Sequence, residues 1–236
     1  EELKEEVQKL EITQDFPFKK ALSGDEISII AEIKRASPSK GLIAEDFDYL
    51  TIAKEYEEAG ASAISVLTEP YFFMGSDDYL SEIAKNVNIP VLRKDFVIDE
   101  YMIWEAKLLG ASCILLIVSI LDDAQLKEYL DLSHDLGLSA IVETHDANEI
   151  KTALDAGAEI IGVNNRNLAD FTVDIENSIR LRSLVGDDVV FISESGIKTK
   201  EDVTRLKENN VDAVSIGETL IRSEDKKSMI FELKNG

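Results

Sequence analysis

The chain is poor in cysteine, histidine, proline and cations. Its one cysteine, Cys113, excludes an intrachain disulfide. Placed in the apolar run "CILLIVSI" with no cation beside it, it reads as a buried, inert thiol. The two histidines, His134 and His145, show no H-x-H or H-E-x-x-H spacing, so no metal-ligand set is expected. There is no G-x-S-x-G elbow to activate Ser195 and no G-x-G-x-x-G after a strand, so neither a serine nucleophile nor a dinucleotide is expected; the expected cofactor is none. No apolar stretch approaches a bilayer span, and the N-terminus "EELKEEVQKL" is acidic and amphipathic rather than signal-like. A cytoplasmic protein is the expectation. Only four prolines are present, and no Pro- or Ser-rich linker marks a second domain.

Cations are the most telling shortage: 25 Lys plus Arg face 47 Asp plus Glu, a net charge of −22. That field repels nucleic acid and anionic membranes, so neither is an expected partner. An anionic ligand needs a local positive patch, and "EIKRASPSKG" (residues 32–41) supplies Lys34, Arg35 and Lys40 within ten positions. Its Ser, Pro and Gly read as a loop that closes over a ligand.

What is present is a repeated phrase: a helix-like segment, a small turn, then an apolar run. It reads "EEAGASAISVLTE", "KLLGASCILLIVS", "LDAGAEIIGVNN" and, with Asn at the turn, "ENNVDAVSIGE". Gly, or Asn in its place, closes a helix by entering the left-handed region. Four more apolar runs, "ISIIAEIK", "IPVLRKDF", "LSAIVETH" and "DVVFISESG", complete eight strand candidates. They are near-continuously apolar, as parallel strands covered on both faces are. Eight βα units predict a single (β/α)8 barrel domain over residues 1–236, with residues 1–26 as an N-terminal helical extension beneath it; a doubly wound open sheet is the alternative.

In such folds the chemistry gathers at the carboxyl ends of the strands. There the sequence places Glu32 and Lys34, Glu69, Arg93-Lys94-Asp95, Glu143, Asn164-Asn165-Arg166, Glu194-Ser195 and Gly217-Glu218. A strand alternates its faces, so Glu32 and Lys34 project together, as do Asn164 and Arg166. One charge at a strand end is an ordinary rim residue, but so many in one concavity are costly unless they pair with each other or with a ligand. Gly196 in "SESGI" and Gly217 in "SIGETL", in consecutive units, provide unhindered turns for a phosphate. Trp104, inside a helix pattern, reads as packing; Phe72 and Phe73, in a loop, could equally stack on a ligand.

The phrases "AEIKRASPSKG", "SVLTEPYFFMGS", "PVLRKDF", "LLIVSIL", "IVETH", "GVNNRNL", "ISESGI" and "SIGETL" resemble, in order from Ile27 to Arg222, the indole-3-glycerol phosphate synthase family. The resemblance implies ring closure, with loss of carbon dioxide and water, of 1-(2-carboxyphenylamino)-1-deoxyribulose 5-phosphate in tryptophan biosynthesis. It implies Lys94 as general acid and Glu143 as general base. Glu32 and Asn164 would orient the lysine or a reacting hydroxyl, Glu194 would complete the polar ring, and Lys34 would bridge toward the substrate carboxylate and phosphate and share the acid role. It assigns the phosphate to Ser195, Gly196, Gly217 and Glu218 with Lys34, the rim to Ser37 and Arg166, and the anthranilate ring to Phe72, Phe96 and Leu115. Family members usually carry a longer segment before the first strand, a difference expected to bear on affinity rather than chemistry. A related phosphate-binding barrel such as phosphoribosylanthranilate isomerase, and a non-catalytic acidic barrel, are the competing readings; the first would not need both Lys34 and Lys94. A monomer or weak homo-oligomer is expected.

Overall fold

A computed structural model describes residues 2–167 and 169–235; Glu1, Gly236 and Leu168 of the "GVNNRNL" phrase lie outside it. Eight parallel strands close into a barrel: β1 (Ser28–Ile33), β4 (Ala63–Leu67), β5 (Val91–Lys94), β6 (Cys113–Ile117), β7 (Ser139–Thr144), β8 (Ile160–Asn164), β9 (Val190–Glu194) and β10 (Ala213–Ile216). Each pairs with its sequence neighbours, and β1 pairs with both β4 and β10, so no edge is left open. That closure excludes the open sheet. Two short strands, β2 (Ala36–Ser37) and β3 (Gly41–Leu42), form an antiparallel hairpin where the sequence suggested an irregular loop.

Helices α3 (Tyr49–Glu58), α4 (Asp77–Asn86), α5 (Glu100–Leu108), α6 (Asp123–Asp135), α7 (Ala147–Ala156), α8 (Glu176–Arg182), α9 (Lys200–Glu208), α10 (Glu218–Arg222) and α11 (Lys226–Lys234) surround the barrel. Part of the acid excess is spent at their starts. Asp48, Asp99, Asp122, Asp146 and Asp225 each accept an N-terminal backbone N–H, as do Ser76 and Thr199, where the helix dipole favours negative charge. Three of the repeated turns end in left-handed Gly60, Gly110 and Gly157, and the fourth in Asn210 at φ 59°.

The N-terminal extension is two helices rather than one. α1 (Glu2–Val7) lies outside, pairing Lys4 with Glu100 of α5 and setting its ammonium over the Trp104 ring. Trp104 therefore packs, and does not face the barrel mouth. α2 (Pro17–Leu22) pushes Phe18 and Leu22 into the floor of the barrel. There they meet Ile30, Leu92, Cys113, Ile141, Ile160 and Ile192. Burial drives the Cys113 thiol well above its ordinary value, which keeps it inert.

Strand parity divides the molecule. Inward positions run from apolar at the floor to polar at the mouth: Ile30 to Glu32, Leu92 to Lys94, Ile141 to Glu143, Ile160 to Asn164, Ile192 to Glu194. The intervening residues, such as Ile29, Val91, Ile114, Val142 and Phe191, pack outward against the helices.

Candidate active site

The mouth opens into a cavity of about 1110 Å³. Glu32, Lys34, Lys94, Glu143, Asn164 and Glu194 line it, with Ser37, Phe96, Leu115, Arg166, Ser195, Gly196, Gly217 and Glu218. Phe72 does not. The Glu69 carboxylate accepts the backbone N–H groups of Tyr71, Phe72 and Phe73 and curls that loop. The curl turns Phe72 outward, 61% exposed, and brings Phe73 to the wall, its ring centre 6.2 Å from that of Phe96. The aromatic position in this loop is therefore corrected by one residue. Arg35 also leaves the patch expected of "EIKRAS", because it has the opposite parity to Lys34 and is absent from the wall.

Parity removes two more strand-end residues. Arg93 faces outward, where its guanidinium meets Asp77 at 2.9 Å, Glu105 at 2.8 Å and the Met102 carbonyl. Asn165 is buried among Ser178, Ser193 and the Ser195 carbonyl. Both tie strand ends to neighbouring elements.

At the centre is a chain of alternating charges. Lys34 Nζ lies 2.5 Å from Glu32 Oε1; the other Glu32 oxygen is 3.6 Å from Lys94 Nζ; Lys94 Nζ reaches Glu194 Oε2 at 2.6 Å. Burial alone would raise the Glu32 carboxyl, but the two ammonium groups and their hydrogen bonds outweigh it and hold it at about 2. Burial likewise opposes the charge on Lys94, yet Glu194, Glu32 and Glu143 together hold its proton more tightly than usual. Glu143 moves opposite to Glu32. Burial and the Glu194 charge raise it against the opposing pull of Lys94 and His145, while Asn164 Nδ2 donates to its Oε1 at 3.2 Å. One cavity thus holds a committed ammonium and a carboxylate that takes up a proton readily, the separation expected of an acid and base pair.

Room for this chain comes from glycines. A Cβ on Gly162 would overlap Glu194 Oε1, and one on Gly217 would overlap Glu32 Oε1 and come within 3.1 Å of Lys34 Nζ. Gly217 is thus packed against the charged chain as well as lying at a turn, a role its sequence context did not suggest.

The two glycine turns differ as anion sites. At the start of α9 the backbone N–H groups of Lys198 and Thr199 already donate to Asp202, so that helix start is internally satisfied. The turn before it is the open part: Ser195 at φ 70° and Gly196 at φ 88° take left-handed backbone at the cavity wall. α10 starts at Glu218 with no side-chain cap. Lys198 and Arg222 add cations to this side of the wall. The signal for both was their place next to the glycine turns in "SGIK" and "GETLIR". The Ser37 hydroxyl, buried and without a hydrogen-bond partner among the described residues, faces the same cavity. The opposite wall is apolar, with Leu67, Phe73, Phe96, Leu115 and Ile120.

A charged chain beside an anion cradle and an apolar slot matches a known assembly. The family model described as indole-3-glycerol phosphate synthase matches residues 1–233. The chain belongs to the indole-3-glycerol phosphate synthase family. A curated indole-3-glycerol phosphate synthase of Ruminiclostridium cellulolyticum is 56% identical over 232 residues, covering 98% of this chain and 89% of that protein. One from Lachnoclostridium phytofermentans is 59% identical over 220 residues, covering 93% and 81%. Among solved structures, 3-hexulose-6-phosphate synthase from Salmonella typhimurium superposes with a TM-score of 0.71 at 14% identity, covering 89% of this chain and 97% of that one, which shows the shared barrel alone. As a member of the indole-3-glycerol phosphate synthase family the chain is a carboxy-lyase of tryptophan biosynthesis acting on a small phosphorylated substrate.

Proposed function

We propose that Lys94 is the general acid and Glu143 the general base of ring closure on 1-(2-carboxyphenylamino)-1-deoxyribulose 5-phosphate. The observation that carries this reading is geometric: in one cavity the Lys94 ammonium is held between Glu194 and Glu32, while the Glu143 carboxylate, its value raised by burial and by Glu194, is fixed by the Asn164 amide. The ring carbon bearing the carboxylate attacks the ketone carbon, and the oxygen that gains electrons takes a proton from Lys94. Glu194 and Glu32 hold the ammonium in place. A tightly held proton is a poor donor to a resting ketone but a good one to the far more basic oxygen formed as the bond closes, so donation is coupled to attack. Carbon dioxide then leaves and the ring regains its electrons. Loss of water needs a second proton on the departing hydroxyl, from Lys34 or from Lys94 once solvent has recharged it, and removal of a proton from the new five-membered ring, which Glu143 accepts while Asn164 fixes its orientation.

The phosphate rests on the Ser195–Gly196 turn and the Gly217–Glu218 backbone, with Lys34 between it and the reacting centre. Ser37 and Arg166 serve the rim. The anthranilate ring lies against Phe96 and Leu115, with Phe73 in the place expected of Phe72. The 236 residues act as one domain, with α2 closing its floor. Among the described residues no helix is long and apolar enough to cross a membrane. A cytoplasmic place is inferred from the substrate, whose charged phosphate keeps it within the compartment where it is made.

The test is the ring-closure assay, followed by indole fluorescence, on Lys94→Met. That variant is expected to lose at least about 100-fold in kcat, the scale of general acid catalysis, while substrate still binds. Near-normal turnover would overturn the assignment.

A further inference from the structure

His145 follows β7 but is not on the cavity wall. Its Nδ1 lies 3.0 Å from Glu149 Oε2, and the same oxygen accepts the His145 backbone N–H at 2.7 Å. Asn177 of α8 donates to the His145 carbonyl at 3.1 Å. The clamped ring points its Nε2 at Glu143 Oε1, 3.5 Å away, and this nitrogen is buried with no closer partner among the described residues. Glu149 sits in the first turn of α7, where the helix dipole favours its charge.

The geometry dictates a protonation state. With Nδ1 beside the Glu149 carboxylate, the proton sits on Nδ1, and a neutral ring would turn the Nε2 lone pair toward an ionised Glu143 oxygen. An imidazolium instead aims an N–H at each carboxylate. We propose that His145 is a positioning residue for Glu143: held by Glu149, it presents positive charge to the base from behind the cavity wall and keeps that carboxylate ionised and facing substrate. The inference rests on Glu143 being the base, as proposed above.

The surrounding charges agree. Glu143 from its own strand, Glu149 from α7 and Glu194 from β9 all act on His145, and the Glu149 hydrogen bond outweighs burial in holding its proton above the ordinary value. Around Glu143, burial and Glu194 favour the protonated form, while Lys94, His145 and the Asn164 hydrogen bond favour the charged one. Removing His145 takes away one of these supports.

The experiment is the pH profile of kcat and KM for the full chain and for His145→Asn, Glu149→Gln and Glu143→Gln, each checked by thermal melting. In His145→Asn the acid limb of kcat is expected to move to higher pH by about one unit, roughly a tenfold loss at a fixed pH on that limb, with KM unchanged and activity regained at alkaline pH. Glu149→Gln should move the limb the same way by less, and it decides the matter if His145→Asn does not fold. A loss equal at every pH, with the limb unmoved, would make His145 merely structural and overturn the inference. If Glu143→Gln abolishes turnover and the acid limb of His145→Asn stays where it is in the unsubstituted chain, the His145 inference alone fails. If Glu143→Gln keeps wild-type turnover, the base assignment itself fails and takes the inference with it.

Discussion

The two ends of the barrel are built from the same inward-facing strand positions and do opposite work. At the floor Ile30, Leu92, Ile141, Ile160 and Ile192 close on Phe18 and Leu22 of α2. Two residues further along the same faces stand the buried carboxylates Glu32, Glu143 and Glu194 and the mostly buried Lys94, charges that cost several kcal/mol each to desolvate and depend on pairing to offset it. The floor is stable by burial alone, whereas the mouth depends on its ion pairs. The mouth is itself divided. Glu32, held at about 2, contributes stability above its ordinary 4.5 that is lost as pH falls toward 2. Glu143, whose folded value is raised, has the reverse sign and weakens the fold as pH climbs past its ordinary value. The carboxylate that stabilises is the one paired with both lysines, and the one that destabilises is the one whose value burial and Glu194 raise.

The comparison breaks most visibly if the floor is emptied. Phe18→Ala should cost about 3–5 kcal/mol of unfolding free energy, the usual toll of deleting a buried aromatic ring, with kcat/KM unchanged below the melting transition. Phe18→Leu, which keeps most of the volume, should cost less than about 1.5 kcal/mol. Denaturant titration and the ring-closure assay on the same samples check this. A lowered kcat in folded Phe18→Ala would mean that floor and mouth are coupled.

Much of this division was legible in the sequence, because apolar runs, left-handed turns and strand parity are local properties. Eight runs gave eight strands, and the inward pair Glu32 and Lys34 followed from a spacing of two. What was not legible depends on groups far apart in the chain. That α2 is separate and enters the barrel depends on a cavity the other strands create. The turn of Phe73 rather than Phe72 to the wall depends on where Glu69 sends its carboxylate. The outward ion cluster of Arg93 needs Asp77 and Glu105 from two helices, although its parity relative to Lys94 was available. His145 lacked a motif to mark it, since its meaning comes from Glu149 one helical turn away and Glu143 two residues back.

Gly217 sharpens the comparison at the mouth. A phosphate turn alone would make Gly217→Val a change in KM. Because a Cβ there would meet Glu32 and Lys34, the substitution should disturb the charged chain as well. A fall of at least about tenfold in kcat/KM, some 1.4 kcal/mol of transition-state stabilisation, is expected to be shared between kcat and KM. A change in KM alone would show that the side chain is accommodated without moving the chain.

The smallest expected effect separates the buried cation of "EIKRASPSKG" from the exposed one. Lys34 is mostly buried and bonded to Glu32, whereas Lys40, in the hairpin turn, is about half exposed and 4.0 Å from Glu218. Exposed charges act through a field screened over about 8 Å at physiological ionic strength, while a desolvated contact is screened far less. Lys40→Ala should therefore lower kcat/KM by less than about fivefold at low salt, near the 1 kcal/mol ceiling for an exposed charge, and the deficit should shrink as salt is added. Lys34→Ala should stay severely impaired throughout the series, because it removes a charge-assisted bond and leaves Glu32 with Lys94 alone. A salt series of kcat/KM on both variants decides the point. Parallel responses would mean that hairpin and strand act as one cluster, and that the boundary between the buried mouth and its solvated rim lies outside Lys40.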